Sequence, residues 1–571
     1  MQTLTTSIFL TPRPLCPRRL ALPICAALGV LQGWALAWPF AAETADWTAA
    51  HILHFWPQPG QPLPLLQWLV MSVWLVWVQR APTGRSAFWR TWWFATAWLC
   101  GTFWWLFISM HTYGGLPAAL AGVSVWLLAL FLALYSAGAG WAYHRLWHRH
   151  PLAATVALPA LWTLAELARA QWFTGFPWGA VGYAHVNLLG WAAPWVGVYG
   201  MGAVAAALAS LTAWCWADRG RLRTRASVLL GSLVLAWVVG PGVARHAPEP
   251  TQPHGVLPVV LLQGNIPQGE KFDAARGIPQ ALAWYREQLT QTPEPSDALV
   301  IAPETAIPIL PQGLDALEWA TWLHPLSRGQ HAVLLGVPLG TTDAGYSNSA
   351  WAMGPTEAQQ TLQALAQGVP PQAWHTAAGG TGIYTYSKHH LVPFGEFIPP
   401  LFRWFVALMD MPLGDFNRGD LGQAPWVWNG QRIAPHICYE DLFGEELAQT
   451  FTRNADAPTV LVNLSNLAWF NTSVALDQHL HIARLRAMEL GRPMLRSTNT
   501  GATVVIDHHG RVTHALPRAT AGRLEATVEG RQGLTPYARW AGQWGLWPLW
   551  VSALLVAGLC FGWAKGRRLP V

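Results

Sequence analysis

Charge is what this chain of 571 residues has least of. Lys, Arg, Asp and Glu make up 11% of it, against about 25% in a typical soluble chain, while apolar residues make up 52%. So apolar a chain is not disordered. Six cysteines in this length exclude a disulfide scaffold, and no triplet repeat points to collagen. Acidic residues are nearly missing from the first half. Only Glu43, Asp46, Glu166 and Asp218 precede residue 247, and none follows residue 540. Lysine is scarcer still, with Lys388 the only one between 272 and 564. The net charge of +6 would elsewhere suggest nucleic acid, but it is spread as short arginine clusters between apolar runs. What is abundant is tryptophan, 38 residues of it, and Trp concentrates at membrane interfaces.

This pattern predicts three parts: a membrane domain over 1–246, a globular domain over 247–540 and a final membrane anchor over 541–571. Apolar runs fit to cross a ~30 Å hydrocarbon core lie at about 20–40, 63–79, 91–110, 117–141, 152–170, 188–216, 226–243 and 545–564. Arg13, Arg18 and Arg19 precede the first. Arg80, Arg85 and Arg90 follow the second, Arg145 and Arg149 the fourth, Arg219 to Arg225 the sixth, and Lys565 to Arg568 the eighth. Every basic cluster thus follows an even number of spans and shares one side, the cytoplasm, which puts 247–540 outside it. The basic flank and apolar start also allow a cleaved signal peptide, but the run continues through Pro39 without a small-residue cleavage site. The Pro-rich stretch 247–258 reads as a linker.

In the globular part, short aliphatic runs at Leu257–Gln263, Ala298–Ala302, Ala332–Gly336, Arg432–Cys438, Thr459–Asn463 and Ala502–Asp507 read as buried strands. Helical spacing at 275–291, 313–327 and 476–490 makes the domain α/β. Chemistry in such domains sits at strand ends. Cys438, the only cysteine in this part, stands at one of them and is either a small core residue or a nucleophile. A nucleophile needs a base and a stabiliser for the charge it creates. His436, on the same strand face, is one candidate base. Glu304 is the better one, because a carboxylate straight after an aliphatic strand and a proline is partly desolvated, which raises its proton affinity. Lys388 offers a compact positive charge for an oxyanion. His389 and His390 have no second spaced cluster with which to hold a metal.

The segments Pro303–Pro308 around Glu304, Lys388–Glu396 and Ile437–Glu440 resemble the Glu-Lys-Cys signature of the nitrilase superfamily. More narrowly the chain resembles the bacterial apolipoprotein N-acyltransferase family, through Thr174–Trp178, Gln263–Gln268, Arg484–Pro493, Arg496–Gly501 and Leu534–Arg539. The resemblance implies an αββα nitrilase-like sandwich outside the cytoplasm, carried on about eight transmembrane helices. It implies Cys438 as nucleophile, Glu304 as general base and Lys388 as oxyanion stabiliser, with Glu396, Tyr439 and Glu440 supporting them. Leu467 and Asn471 stand where the family commonly has Asp and Gly, which leaves the shape of the loop 463–473 open.

The implied reaction moves the sn-1 acyl chain of a phospholipid to Cys438 as a thioester, then to the α-amine of a diacylglyceryl-modified apolipoprotein. The expected setting is the bacterial inner membrane with the catalytic domain in the periplasm, as a monomer, without cofactor, metal or nucleic acid. Trp178, Phe176 and Phe402, with the stretch to Met411, are candidate seats for acyl chains or simple interfacial anchors. A membrane-tethered amidase or hydrolase of the same superfamily is the nearest alternative. A transporter with a ligand-binding outer domain is a remoter one, since its spans would carry central ionisable residues.

Overall fold

The computed structural model describes residues 20–40, 57–217, 222–341, 343–374, 381–399, 402, 404, 415–452 and 455–566. The first-half helices are α1 (Ala21–Trp34), α2 (Pro64–Gln79), α3 (Gly84–Phe103), α4 (Ala118–Trp147), α5 (Pro151–Gln171), α6 (Ala193–Ala217) and α7 (Leu222–Val234). Among the described residues, five helical stretches are long and apolar enough to cross a membrane: Ala118–Trp147, Pro151–Thr174, Gly190–Ala217, Arg223–His246 and Trp547–Gly566. A sixth is added if α3 and the following Leu106–Tyr113, bent from it by 61°, count as one span. Length and composition of the described helices do not by themselves confirm the expected count of eight.

The differences have local causes. With 14 and 16 residues, α1 and α2 are shorter than the ~20 a straight span needs. The apolar run after Trp34 leaves the helix instead of prolonging it. The expected 91–110 span breaks at Trp104. Arg13, Arg18, Arg19, Arg219, Arg221, Arg567 and Arg568 lie outside the described residues. The protein is nonetheless a membrane protein, with α5 and α6 buried at the centre of the bundle and α4 on its rim. Close packing uses small residues: a Cβ on Gly29 of α1 would stand 2.1 Å from the Phe94 carbonyl oxygen of α3.

Among the described residues twelve strands follow: β1 (Thr251–Gln263), β2 (Leu299–Ile301), β3 (Ala332–Thr341), β4 (Gly345–Met353), β5 (Tyr384–Ser387), β6 (Trp426–Trp428), β7 (Gln431–Ile437), β8 (Val460–Ser465), β9 (Met494–Thr498), β10 (Val504–Ile506), β11 (Val512–Ala515) and β12 (Gly522–Gly533). They form two six-stranded sheets, ordered β12-β1-β2-β3-β4-β5 and β11-β10-β9-β8-β7-β6. The triplets β1-β2-β3 and β7-β8-β9 are parallel. Side-chain alternation sets the layers. Val259 and Leu261 of β1 join Leu299, Leu334, Ile433, Val462 and Leu495 between the sheets. Val260 and Leu262 instead face α8 (Gly277–Thr290) and α9 (Ala316–Arg328), beside α10 (Pro355–Ala366). The outer face of the second sheet, with Ala434, Leu461 and Met494, is covered by α11 (Ala475–Leu490) and α12 (Pro536–Trp544). This is the αββα sandwich, and α13 (Trp547–Gly566) leads away from it.

The expected linker 247–258 is shorter than read: from Thr251 the chain is already paired with β12. Pro253 and Pro258 fit there because β2 pairs with β1 only at Val259–Leu261, leaving the earlier edge free. The two halves share one apolar core, in which Tyr439, Phe443, Leu476, Leu485 and Met488 pack among membrane-helix residues such as Phe103 and Val198.

Candidate active site

The strand ends bring the expected residues together. Glu304 follows β2, pressed so closely on β3 that a Cβ on Gly336 would lie 2.5 Å from the Thr305 amide nitrogen. Its Oε1 accepts from Asn348 Nδ2 of β4 at 2.7 Å, and its Oε2 from the Asn466 amide at 2.9 Å. The same Asn348 Nδ2 donates to Glu396 Oε1 at 2.8 Å. Lys388, one residue past β5, places Nζ 2.8 Å from Glu396 Oε1 and 3.9 Å from Glu304 Oε1. Glu396 is fixed by the Val392 amide at 2.8 Å. One amide and one ammonium thus hold two buried carboxylates side by side.

Cys438 follows β7 with φ +51°, in the left-handed region that a non-glycine residue adopts only when its surroundings impose it. The surroundings are visible. Its carbonyl accepts from His479 Nε2 at 3.2 Å and from Asn463 Nδ2 at 3.4 Å. Glu440 ties the elbow to the lysine loop, accepting from the Ile437 amide (2.6 Å), the His389 amide (2.8 Å) and the Tyr386 hydroxyl (2.8 Å). The Tyr439 hydroxyl donates to the Gly175 carbonyl at 3.2 Å. Behind the elbow, His436 Nε2 lies 2.7 Å from Asp441 Oδ1, and Arg496 bridges Asp441 Oδ2 and His479 Nδ1 at 2.7 Å each. His436 is therefore engaged with a carboxylate in this network. Burial and Arg496 push His479 down to about 3, so it is neutral, accepting a hydrogen bond from Arg496 at Nδ1 and donating Nε2–H to the Cys438 carbonyl.

Burial, then the neighbouring Glu304, push the Cys438 thiol well up, and Lys388 opposes them. Burial raises Glu304 too, against the pull of Lys388. Lys388 is itself raised, because Glu396, Glu304 and the thiol outweigh its burial. At rest the site therefore holds a protonated thiol, a carboxylate with raised proton affinity and a firmly charged ammonium. Such a set can pass a proton from sulfur to Glu304 when an electrophile arrives and can stabilise the oxyanion that results.

Sequence reasoning passed over several residues. Asn348 lies on β4, a strand it did not identify. Lys271 is 1% exposed and donates to the Glu304 carbonyl at 3.1 Å and to Thr305 Oγ1 at 2.8 Å, and burial pushes it down to about 8. Lysine scarcity was the signal that could have found it. Trp178 is buried, donates to Gln478 Oε1 at 2.7 Å and stacks on His479. Phe176 packs on Tyr439 and Phe103. Phe402 is exposed against Phe394, while 403 and 405–411 lie outside the described residues. In the loop 463–473, Leu467 is buried, and Asn471 takes φ +48° while accepting from the Tyr113 hydroxyl. His389 Nδ1 lies on the Gly419 carbonyl and His390 Nδ1 on Glu446. Among the described residues, the group spaced to hold a metal ion is Glu249, His508 and His509, apart from this site.

Two stacked sheets with such a site place the second half among the carbon–nitrogen hydrolases, and residues 261–537 match the family described as carbon-nitrogen hydrolase. Residues 49–211 match the apolipoprotein N-acyltransferase N-terminal domain. An apolipoprotein N-acyltransferase of Verminephrobacter eiseniae is 46% identical over 90% of this chain and 94% of its own length. One from Ralstonia nicotianae is 42% identical over 92% of this chain and 91% of its own. A nitrilase-superfamily amidase of Nesterenkonia covers 51% of this chain and 95% of its own at 14% identity, with a TM-score of 0.32. The chain belongs to the apolipoprotein N-acyltransferase family, and it is an acyltransferase.

Proposed function

We propose that the protein transfers the sn-1 acyl chain of a phospholipid, through a thioester on Cys438, to the α-amine of a diacylglyceryl-modified apolipoprotein. Glu304 takes the thiol proton as sulfur attacks the ester carbonyl, and Lys388 Nζ stabilises the oxyanion. The ester C–O bond then breaks, Glu304 returns the proton to the departing oxygen, and a lysophospholipid leaves. The acceptor amine, arriving unprotonated, attacks the thioester and gives a proton to Glu304. The C–S bond breaks, and Glu304 reprotonates the sulfur. Glu396 and Glu440 are positioning residues for the lysine and the elbow. No cofactor is required by this chemistry.

The observation that carries the reading is that Glu304, Lys388 and Cys438 converge directly against the core shared with the membrane helices. A nucleophile so placed suits substrates that keep their chains in a bilayer. In the setting we infer, a bacterial inner membrane, α1 and α2 act as short spans completing eight, the sandwich faces the periplasm and the chain works as a monomer. The test gives purified enzyme phospholipid alone. About one lysophospholipid per active site should be released before a stall, with a hydroxylamine-labile acyl mass on Cys438. Steady release of fatty acid would indicate a hydrolase, and absence of both burst and thioester would remove Cys438 from the nucleophile role.

A further inference from the structure

Next to the catalytic centre lies a cavity of about 990 Å³ that neither Cys438, Glu304 nor Lys388 lines. Its catalytic side is the stacked pair His390 and Phe443, both packed on Tyr439. Its other side belongs to the membrane half: Gln171 at the end of α5, and Trp547 and Val551 of α13. Trp547 is 71% exposed, and Trp172 stacks on Trp550, whose indole donates to Gln171 at 2.7 Å. Such an aromatic rim marks the level of lipid headgroups.

Between these sides stand Glu445 and Glu446. Glu445 is 7% exposed, and its Oε2 has no hydrogen-bond partner among the described residues. A buried carboxylate oxygen left so is costly unless something else meets it. Glu446 Oε1 lies 3.0 Å from His390 Nδ1. Burial and Glu446 push Glu445 up to about 7, and burial with Glu440 pushes Glu446 up to about 7. The nearby guanidinium groups make their direct contacts elsewhere, Arg486 with Glu489 and Arg418 over the Phe397 ring, and act on Glu445 and Glu446 only as pulls weaker than burial. Among the described residues no Lys or Arg lines the cavity, and His390, pushed down to about 3 by burial, is neutral. An anionic group would meet two carboxylates there, whereas a cation would satisfy both.

We propose that this cavity binds the ammonium group of a membrane lipid, with Glu445 and Glu446 as its counter-ions and the lipid chains lying along α13. The volume, at the upper end of the ~300–1,000 Å³ of ordinary ligand pockets, holds a headgroup and its first methylenes. The chains continue over Val551 and Leu555, which are 51% and 60% exposed. A lipid-borne ammonium has two sources in the proposed reaction, a phospholipid headgroup and the free α-amine of the diacylglyceryl acceptor. The site stands whichever supplies it, and whether or not Cys438 carries the acyl group.

The test uses the full-length chain as Cys438→Ala, so that no turnover consumes lipid. Native mass spectrometry in detergent counts the phosphatidylethanolamine, N-acetylated phosphatidylethanolamine and phosphatidylglycerol retained. Phosphatidylethanolamine should be retained at least about tenfold over the other two, a preference of about 1.4 kcal/mol. Glu445→Gln and Glu446→Gln, each added singly, should reduce that preference severalfold. The selectivity among lipids is read on unchanged carboxylates, so a variant that fails to fold does not decide the matter. Displacement of bound phosphatidylethanolamine by a diacylglyceryl peptide with a free amine, but not by its N-acetylated form, would assign the site to the acceptor. Equal retention of all three lipids, or a preference surviving both substitutions, would overturn the proposal. A missing thioester on Cys438 would leave it untouched.

Discussion

In the proposed mechanism Lys388 has two separable jobs, and two substitutions tell them apart. Its Nζ lies 3.9 Å from Glu304 Oε1. At an effective dielectric of about 20, that separation gives an attraction of about 4 kcal/mol, or about 3 pH units. Glu304 must be ionised to take the thiol proton, burial already raises its proton affinity, and Lys388 is the strongest influence holding it down. Lys388→Met should therefore move the limb where rate rises with pH upward by about 3 units, on top of the lost oxyanion donor. Lys388→Arg keeps the charge but replaces a point donor, held 2.8 Å from Glu396, with a planar fork. Its limb should stay in place while its plateau falls about 10²–10³-fold, the usual scale for one oxyanion donor. The assay is single-turnover lysophospholipid release across pH 5 to 9. An Arg variant near the normal plateau would refute the point-donor role, and a Met variant with an unmoved limb would refute the charge argument.

Lys271→Met removes a second cation beside Glu304, so the same pH series should show a smaller upward movement; an unmoved limb would make Lys271 a packing residue only. Arg169 Nη1 donates to the Phe176 and Trp178 carbonyls at 2.9 and 2.6 Å, so Arg169→Gln should cost about 3–5 kcal/mol, read as a lower unfolding midpoint in detergent; an unchanged midpoint would rule the bracing out. Cysteines introduced at 311–320 should react with an impermeant reagent from outside the cell and those at 219–225 should not, whereas the reverse pattern would invert the orientation.

The parts of the fold legible in the sequence were those with an unambiguous period. The buried runs around Val260, Val300, Val333, Val462 and Val505 all fall in strands, because doubly covered strands are continuously apolar. The strands β4, β5, β6, β9, β11 and β12 were not read. β11 is wholly exposed, and β12 sets Arg523, Glu525, Thr527 and Glu529 along its more open face, so neither carries an apolar signature. The helix at 475–490 was legible by spacing, but not its double burial between sheet and membrane bundle. Glu304, Lys388 and Cys438 stood out as chemically odd residues at strand ends. Asn348 did not, since an asparagine inside a strand acquires meaning only when two carboxylates arrive from distant parts of the chain. The bend that follows Phe103 was not legible, because hydropathy registers apolar length and not a change of helix direction.

The carbonyls of Thr174 and Gly175, which receive His390 Nε2 at 3.1 Å and the Tyr439 hydroxyl at 3.2 Å, belong to the membrane half. The residue beside Cys438 and the second residue beyond Lys388 are thus each moored to a backbone the sandwich does not own. Excising 251–540 as a soluble fragment would keep both sheets and every strand end, yet strip the elbow of its outer moorings. Grafting that fragment onto unrelated helices would do the same unless the turn at 174–178 travelled with it. The smallest transplantable unit of this enzyme is consequently larger than its catalytic domain: the sandwich together with α5 and the turn that follows it.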